Sequence, residues 1–367
     1  MEWTAITVFT ATGLFQIYWY YTLYAVWKND HSPVETATHQ PPVSIIVCAH
    51  NERNNLKILL PLLYQQQYPT FEIVVVDDYS YDGSLDFLLA QKEHYANLKI
   101  VWLRERPTHT SGKKFVLTLG IRAARYQHLL LTDADCRPSS PFWIRNMVQR
   151  WTPEHEFVLG YSPYQSRPGL LNGFIRYETL HTGMMYLGAA LRGYPYMAVG
   201  RNLAYRKLFF LEKGGFRGFW HLTGGDDDIF VNCHATARNT VVVVHPKSHM
   251  ISVPKTSWRA YIRQKIRHLS VGKYYKTRDK HWLGAFIATT IGVWLGALFL
   301  AFVGAWMWAL LGLVVRWGMM AWALRSASNK LNDSIPLHML PIFDFLYVIC
   351  YISIGPTALL SKHIRWK

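Results

Sequence analysis

Leu129-Leu130-Leu131-Thr132-Asp133-Ala134-Asp135 is an unbroken apolar run that stops on two carboxylates one residue apart. A run with no polar alternation predicts a strand buried on both faces, as in a sheet covered by helices on each side. Two similar runs lie upstream. Val43-Ser44-Ile45-Ile46-Val47-Cys48-Ala49 leads into His50-Asn51-Glu52, and Phe71-Glu72-Ile73-Val74-Val75-Val76 leads into Asp77-Asp78-Tyr79-Ser80-Tyr81-Asp82-Gly83-Ser84. Leu98–Leu103 and Phe157–Tyr161 complete the predicted strands. Arg53–Gln66, Ser84–Gln91, Phe115–Ala124 and Pro141–Trp151 read as helices between them. This alternation predicts an α/β domain with a mostly parallel sheet flanked by helices.

In such sheets ligands bind beyond the carboxyl ends of the strands. A single acidic strand end serves equally well as a turn or a helix N-cap. Three in one sheet point to a shared site. Asp133 and Asp135 are spaced to converge on a hard divalent cation, since Mg²⁺ usually takes one or two carboxylates plus substrate phosphates. A second acidic cluster, Asp226-Asp227-Asp228, precedes Ile229-Phe230-Val231. It suits a helix N-terminus, where the dipole favours negative charge, and it also suits a catalytic base.

The 367 residues carry 39 Lys and Arg against 23 Asp and Glu, a formal charge of +16. That balance attracts nucleic acid, anionic lipid or phosphorylated small molecules. Thirty-three of the 39 basic residues fall between Lys28 and Lys280, flanked on both sides by long uncharged runs. This is the positive-inside pattern of a cytoplasmic domain between membrane spans. Acidic residues clustered at strand ends argue against a nucleic-acid surface, because they would repel phosphate without a metal. Cys48, Cys136, Cys233 and Cys350 are far apart and show neither disulfide nor zinc spacing.

Trp3–Trp27 is uncharged, long enough to cross a bilayer, and rich in Tyr and Trp toward Lys28. Residues 1–27 are therefore expected to be a membrane anchor and 28–281 a cytoplasmic domain, with a linker at Pro33, Pro41 and Pro42. Trp282–Val315 is too long for one crossing and predicts a hairpin turning near Gly304, with a second span ending near Leu324 and holding Arg316. Leu340–Leu360 contains Asp344 and Pro356 and is the weaker third span; residues 282–367 thus form a membrane region of two or three helices. Residues 257–275 mix Arg and Lys with apolar positions 258, 262, 266 and 269, which reads as a basic amphipathic helix at the membrane surface.

Taken together, five elements in this order resemble the family 2 glycosyltransferases of the GT-A fold, over roughly residues 43–270. They are Val43–Glu52, the Asp77-Asp78 turn, Thr132-Asp133-Ala134-Asp135, Gly224-Gly225-Asp226-Asp227-Asp228, and Gln264-Lys265-Ile266-Arg267-His268. The last resembles the QxxRW motif of bacterial membrane polysaccharide synthases, with His268 in place of Trp. The resemblance implies a membrane-bound inverting enzyme that takes a UDP- or GDP-linked sugar and Mg²⁺ or Mn²⁺, at the inner or plasma membrane. It places Glu52 and Asp78 at the base and ribose, Lys113 at the nucleotide, and Asp133 beside the ribose or sugar. Asp135 would hold the metal, and Gln264 and Arg267 the diphosphate. Asp227 would be the general base, with Asp226 and His268 on the acceptor side. The acceptor is expected to be a membrane-held glycan or glycolipid. A polyprenyl phosphate is the alternative, and a membrane nucleotidyl- or phosphotransferase is the rival from another class.

Overall fold

The computed structural model describes residues 2–29, 40–105, 112–222 and 224–360. Pro33 of the expected linker and the basic tail 362–367 lie outside them. The helices are α1 (Glu2–Asn29), α2 (Arg53–Tyr64), α3 (Ser84–Lys92), α4 (Gly112–Ala123), α5 (Trp143–Val148), α6 (Leu170–Leu191), α7 (Lys207–Glu212), α8 (Asp228–His234), α9 (Trp258–Leu269), α10 (Thr277–Phe302), α11 (Trp306–Leu331) and α12 (Leu340–Leu360). The strands are β1 (Val43–Ala49), β2 (Phe71–Asp77), β3 (Leu98–Trp102), β4 (His128–Asp133), β5 (Cys136–Pro138), β6 (Phe157–Gly160), β7 (Leu203–Arg206), β8 (Thr240–Val243) and β9 (Met250–Ser252). The chain divides into two compact units. One comprises Met1–His31, Ser166–Gly188 and Lys255–Ser361; the other comprises Ser32–Gln165, Ala189–Pro254 and Lys362–Lys367.

The second unit is built on a seven-stranded sheet in the order β3-β2-β1-β4-β7-β6-β8. β3, β2, β1 and β4 run parallel, β7 is antiparallel to both its neighbours, and β6 and β8 are parallel. Every residue of β1 is buried, which is why its sequence shows no alternation. One face is covered by Leu56, Leu59, Leu60 and Leu63 of α2 and by Trp143, Ile144 and Met147 of α5, all fully buried against Ile45, Val47, Val75 and Leu130. Burying each such side chain is worth about 1.5–3 kcal/mol. The other face takes α4 at close range: a Cβ on Gly120 would lie 2.8 Å from both Ile46 and Val76. A separate two-stranded ladder, β5 with β9, sits past the end of β4.

The first unit holds α1, most of α6, and α9 to α12. Among the described residues, Thr277–Phe302, Trp306–Leu331 and Leu337–Leu360 are long and apolar enough to cross a membrane. The expected hairpin turns at Gly304, whose φ of +85° is open to glycine without strain. α11 runs past Leu324 to Leu331 and ends at Asn332, itself left-handed at φ 46°. α1 packs on this hairpin, with Phe9 buried among Val293, Ala297 and Leu313 and the Trp19 ring 4.4 Å from that of Trp282.

The two charges that complicate the apolar helices meet each other. Arg316 on α11 and Asp344 on α12 are 0% and 1% exposed and pair through both oxygens, at 2.5 and 3.0 Å. Trp294 and Trp317 each donate an indole N–H to the same carboxylate, at 2.9 and 3.0 Å. Arg316 also reaches Gln16 of α1 at 3.5 Å. Asp344, which weakens α12 as a span when read alone, is thus neutralised inside the helical unit.

Candidate active site

The register of the sheet gathers the acidic strand ends. Ala49 pairs with Asp77 and Cys48 with Asp133, so the ends of β1, β2 and β4 lie side by side. The loops after β1 and β2 are then stitched together. His50 Nδ1–H donates to the Asp78 carbonyl at 2.7 Å, and the Asp78 N–H to Ala49 O at 2.7 Å. The Asn51 N–H donates to Ser80 Oγ, the Tyr81 N–H to Asn51 Oδ1, and the Arg53 N–H to Asp82 Oδ2. Asn51 and Tyr79 are held at φ 56° and 54°, where non-glycine residues are uncommon. Asp77 and Asp78 are each 1% exposed. Glu52, half-buried at the head of α2, accepts from Asn55 Nδ2 at 2.7 Å.

The second group forms around Lys113, in the first turn of α4. Its ammonium lies 3.0 Å from Asp133 Oδ1 and 3.0 Å from Asp226 Oδ2. Burial opposes the Lys113 charge, but Asp133, Asp226 and Asp227 outweigh it and hold its pKa well above the usual value. Lys113 therefore joins two carboxylates that are far apart in sequence. Its neighbour Lys114 is fully buried and donates to the Leu222 carbonyl, tying α4 to the loop ahead of the acidic cluster. Burial brings the Lys114 pKa down to about 8.

Asp227 is the N-cap of α8. Its Oδ1 accepts the Asp228 N–H at 2.9 Å and its Oδ2 the Gly200 N–H at 2.6 Å. Burial and the adjacent Asp226 raise its pKa, while Lys113 and the two N–H donors pull it back. The result is a carboxylate of fixed orientation and increased basicity, the properties a general base requires. Asp227 is thus a helix N-cap whose carboxylate is also oriented as a candidate base.

Asp135 lies past the end of β4, half-buried, with the Cys136 thiol 3.7 Å from Oδ1 and its carbonyl accepting the Val253 N–H. Asp133 and Asp135 offer hard oxygen donors. Among the described residues no group of three or more His, Cys, Asp or Glu forms a metal cage. Hard oxygen donors of this kind fit an ion such as Mg²⁺, which takes one or two carboxylates and completes its shell with substrate phosphate and water.

Gln264, Arg267 and His268 lie on α9, in the helical unit. Within that unit, Glu178 of α6 accepts the Tyr261 hydroxyl at 2.6 Å and pairs with Lys265, so the carboxylate anchors α9 at two successive turns. His268 is exposed.

Sequence reasoning passed over the 3₁₀ turn Gly200–Asn202 that leads into β7. Gly200 anchors Asp227, Arg201 bonds to Ser162 and Tyr164, and Asn202 is buried in contact with Trp143. The signal available was a Gly-Arg-Asn step in front of the apolar run Leu203-Ala204-Tyr205.

Comparison with known proteins bears on the family and the fold. The family described as Glycosyl transferase family 21 matches residues 6–367. A mannosyltransferase from Pyrobaculum calidifontis, solved with GDP-mannose and Mn²⁺, shares the fold, with a TM-score of 0.64, 20% identity, and coverage of 99% of this chain and 100% of that one. A dolichyl-phosphate beta-glucosyltransferase of Trichomonas vaginalis is 36% identical over 32% of this chain and 37% of its own length. A probable glycosyltransferase of Bacillus subtilis is 26% identical over 50% and 44% respectively. The chain thus spans less than half the length of these two curated relatives.

Proposed function

The chain belongs to glycosyl transferase family 21, a glycosyltransferase of GT-A fold with candidate membrane-spanning helices, and on that premise we propose that it carries a sugar from a nucleotide-sugar donor to an acceptor held at the membrane, with inversion at the anomeric carbon. The observation that carries this reading is the Asp227 carboxylate, fixed by two N–H donors beside the Lys113-bridged pair Asp133 and Asp226. Asp227 takes the proton of the attacking hydroxyl as oxygen bonds to the anomeric carbon and the bond to the nucleoside diphosphate breaks. One base opposite the leaving group gives inversion. Proton transfer of this kind contributes about 10²–10⁴-fold.

Glu52 and Asp78 hold the nucleoside in this reading, with Lys113 and Asp133 on the donor side. A Mg²⁺ or Mn²⁺ ion held by Asp135 would supply charge neutralisation for the departing diphosphate. Gln264 and Arg267 keep the diphosphate role implied by their motif; Arg suits it because its planar fork meets two oxygens at once. Asp226 and His268 are assigned to the acceptor. Residues 28–281 face the cytoplasm and the enzyme is multi-pass, as the distribution of basic residues indicates. A membrane-held glycan or glycolipid is the acceptor of choice. A polyprenyl phosphate is the second reading, supported by the activity named for the Trichomonas relative.

The test is a panel of UDP- and GDP-sugars offered to the protein in nanodiscs with Mn²⁺ or Mg²⁺. Release of free nucleoside diphosphate supports the reading; release of pyrophosphate would instead make the protein a nucleotidyltransferase.

A further inference from the structure

Three consecutive residues of the turn Gly200–Asn202 face three different partners. The Gly200 N–H holds Asp227 Oδ2 at 2.6 Å. Asn202 is 0% exposed; its amide donates to the carbonyls of Tyr161 and Ser248 and its Oδ1 accepts from Trp143 Nε1. The turn is thereby locked into the sheet. Between them, Arg201 donates from Nε to Ser162 Oγ at 3.0 Å, from Nη2 to Ser162 O at 3.1 Å, and from Nη1 to the Tyr164 hydroxyl at 2.7 Å. Its guanidinium stacks on the Tyr164 ring at 4.6 Å.

Tyr164 in turn places Arg201 near the other half of the site. It bridges to Ser252, which pairs with Cys136, the residue after Asp135. Burial works against the Arg201 charge, yet Tyr164, Cys136, Asp133 and Asp135 hold its pKa above the ordinary value. Among the described residues, however, no carboxylate forms an ion pair with it. Of its five N–H groups three have partners, all of them neutral, and each Nη keeps one N–H to offer. The guanidinium is half-buried, and none of its hydrogen bonds is to an anion. Two donors on adjacent nitrogens in one plane suit two oxygens of one phosphate.

We infer that Arg201 is a phosphate-holding residue of this active site, gripping an anionic phosphate on the side that links Asp135 to Asp227. The inference rests on the glycosyl-transfer reading above. It adds a protein cation that belongs to the sheet unit itself and none of the five sequence motifs. The phosphate is either the donor's diphosphate or the headgroup of a phosphorylated lipid acceptor, and these share one chemistry.

The test uses the full chain in nanodiscs with Arg201→Gln and Arg201→Lys. Calorimetry measures UDP, GDP and the unphosphorylated nucleosides in the presence of Mn²⁺, and kinetics measure KM for lipid acceptors with and without phosphate. Loss of a fork to a charged group should weaken phosphate binding by about 10- to 100-fold in the Gln variant, and less in the Lys variant. Weaker diphosphate binding with unchanged nucleoside binding assigns Arg201 to the donor. An increase in KM confined to phosphate-bearing acceptors assigns it to the acceptor. Unchanged values in both arms for a folded variant overturn the inference and leave Arg201 as a support for Tyr164. If the Gln variant does not fold, the Lys variant decides between the same outcomes. Failure of the wild type to transfer sugar from any donor would sink the glycosyl-transfer reading, while the diphosphate titrations would still decide Arg201.

Discussion

Replacing Asp344 by Ala would strand Arg316 inside the helical unit. Arg316 is 0% exposed and has Asp344 as its only ion-pair partner among the described residues. Removing one member of a buried pair costs about 3–5 kcal/mol, because the other charge stays desolvated. The indole N–H groups of Trp294 and Trp317 lose the same acceptor, which favours the upper half of that range. Such a loss should lower the melting temperature by ~5–15 °C in detergent, followed by tryptophan fluorescence. Two of the chain's tryptophans touch the pair directly, so their emission reports on it. The double replacement Arg316→Met with Asp344→Leu removes both charges and should be more stable than either single variant, giving a coupling of several kcal/mol. Single variants as stable as the wild type, or single effects that simply add in the double, would refute the reasoning.

Five further outcomes are expected. Asp227→Asn should bind donor normally yet lose at least about 10²-fold in transfer, checked by calorimetry alongside turnover. Because burial and Asp226 raise the Asp227 pKa above 3.8, kcat/KM should fall on acidification at a pH above that value; Lys113→Met removes a cation that lowers the pKa, so it should move this limb further up. Asp135→Ala should abolish Mn²⁺-dependent diphosphate binding, and EDTA should do the same to the wild type; activity indifferent to EDTA would remove the metal from the scheme. A cysteine label at Lys92 should be unreactive from outside intact cells, and labelling there would reverse the orientation. His268→Trp should lengthen the product in a single-encounter assay with excess unlabelled acceptor, since an indole offers a sugar ring a broader apolar face than imidazole; a product of unchanged length would refute this.

The three strands that carry the acidic ends were legible for one shared reason. β1, β2 and β4 are buried on both faces, so their runs are unbroken and their ends fall where the polarity changes. β5 and β9 have three residues each, too short for any period to show. The acidic candidates stood out because carboxylates at strand ends are out of place in an apolar context. Gly200 and Arg201 were not, since their meaning depends on Asp227, Ser162 and Tyr164, which only the fold brings near. Asp344 misled for the same reason: it weakens an apolar helix until its partner 28 residues away is known.

The position of β7 also sets an order of events on the ribosome. It lies between β4 and β6 in the sheet, but it follows both in the chain, after α6. Until Leu203–Arg206 emerges, one edge of β4 is bare and β6 has no neighbour at all. Synthesis of the intervening stretch, roughly 40 residues at about 5–20 residues per second, takes about 2–8 s. Through that interval the nascent chain presents open hydrogen-bonding edges of the kind that recruit other strands. A chain truncated just before Leu203 would keep them permanently, and is expected to aggregate or to be retained by chaperones.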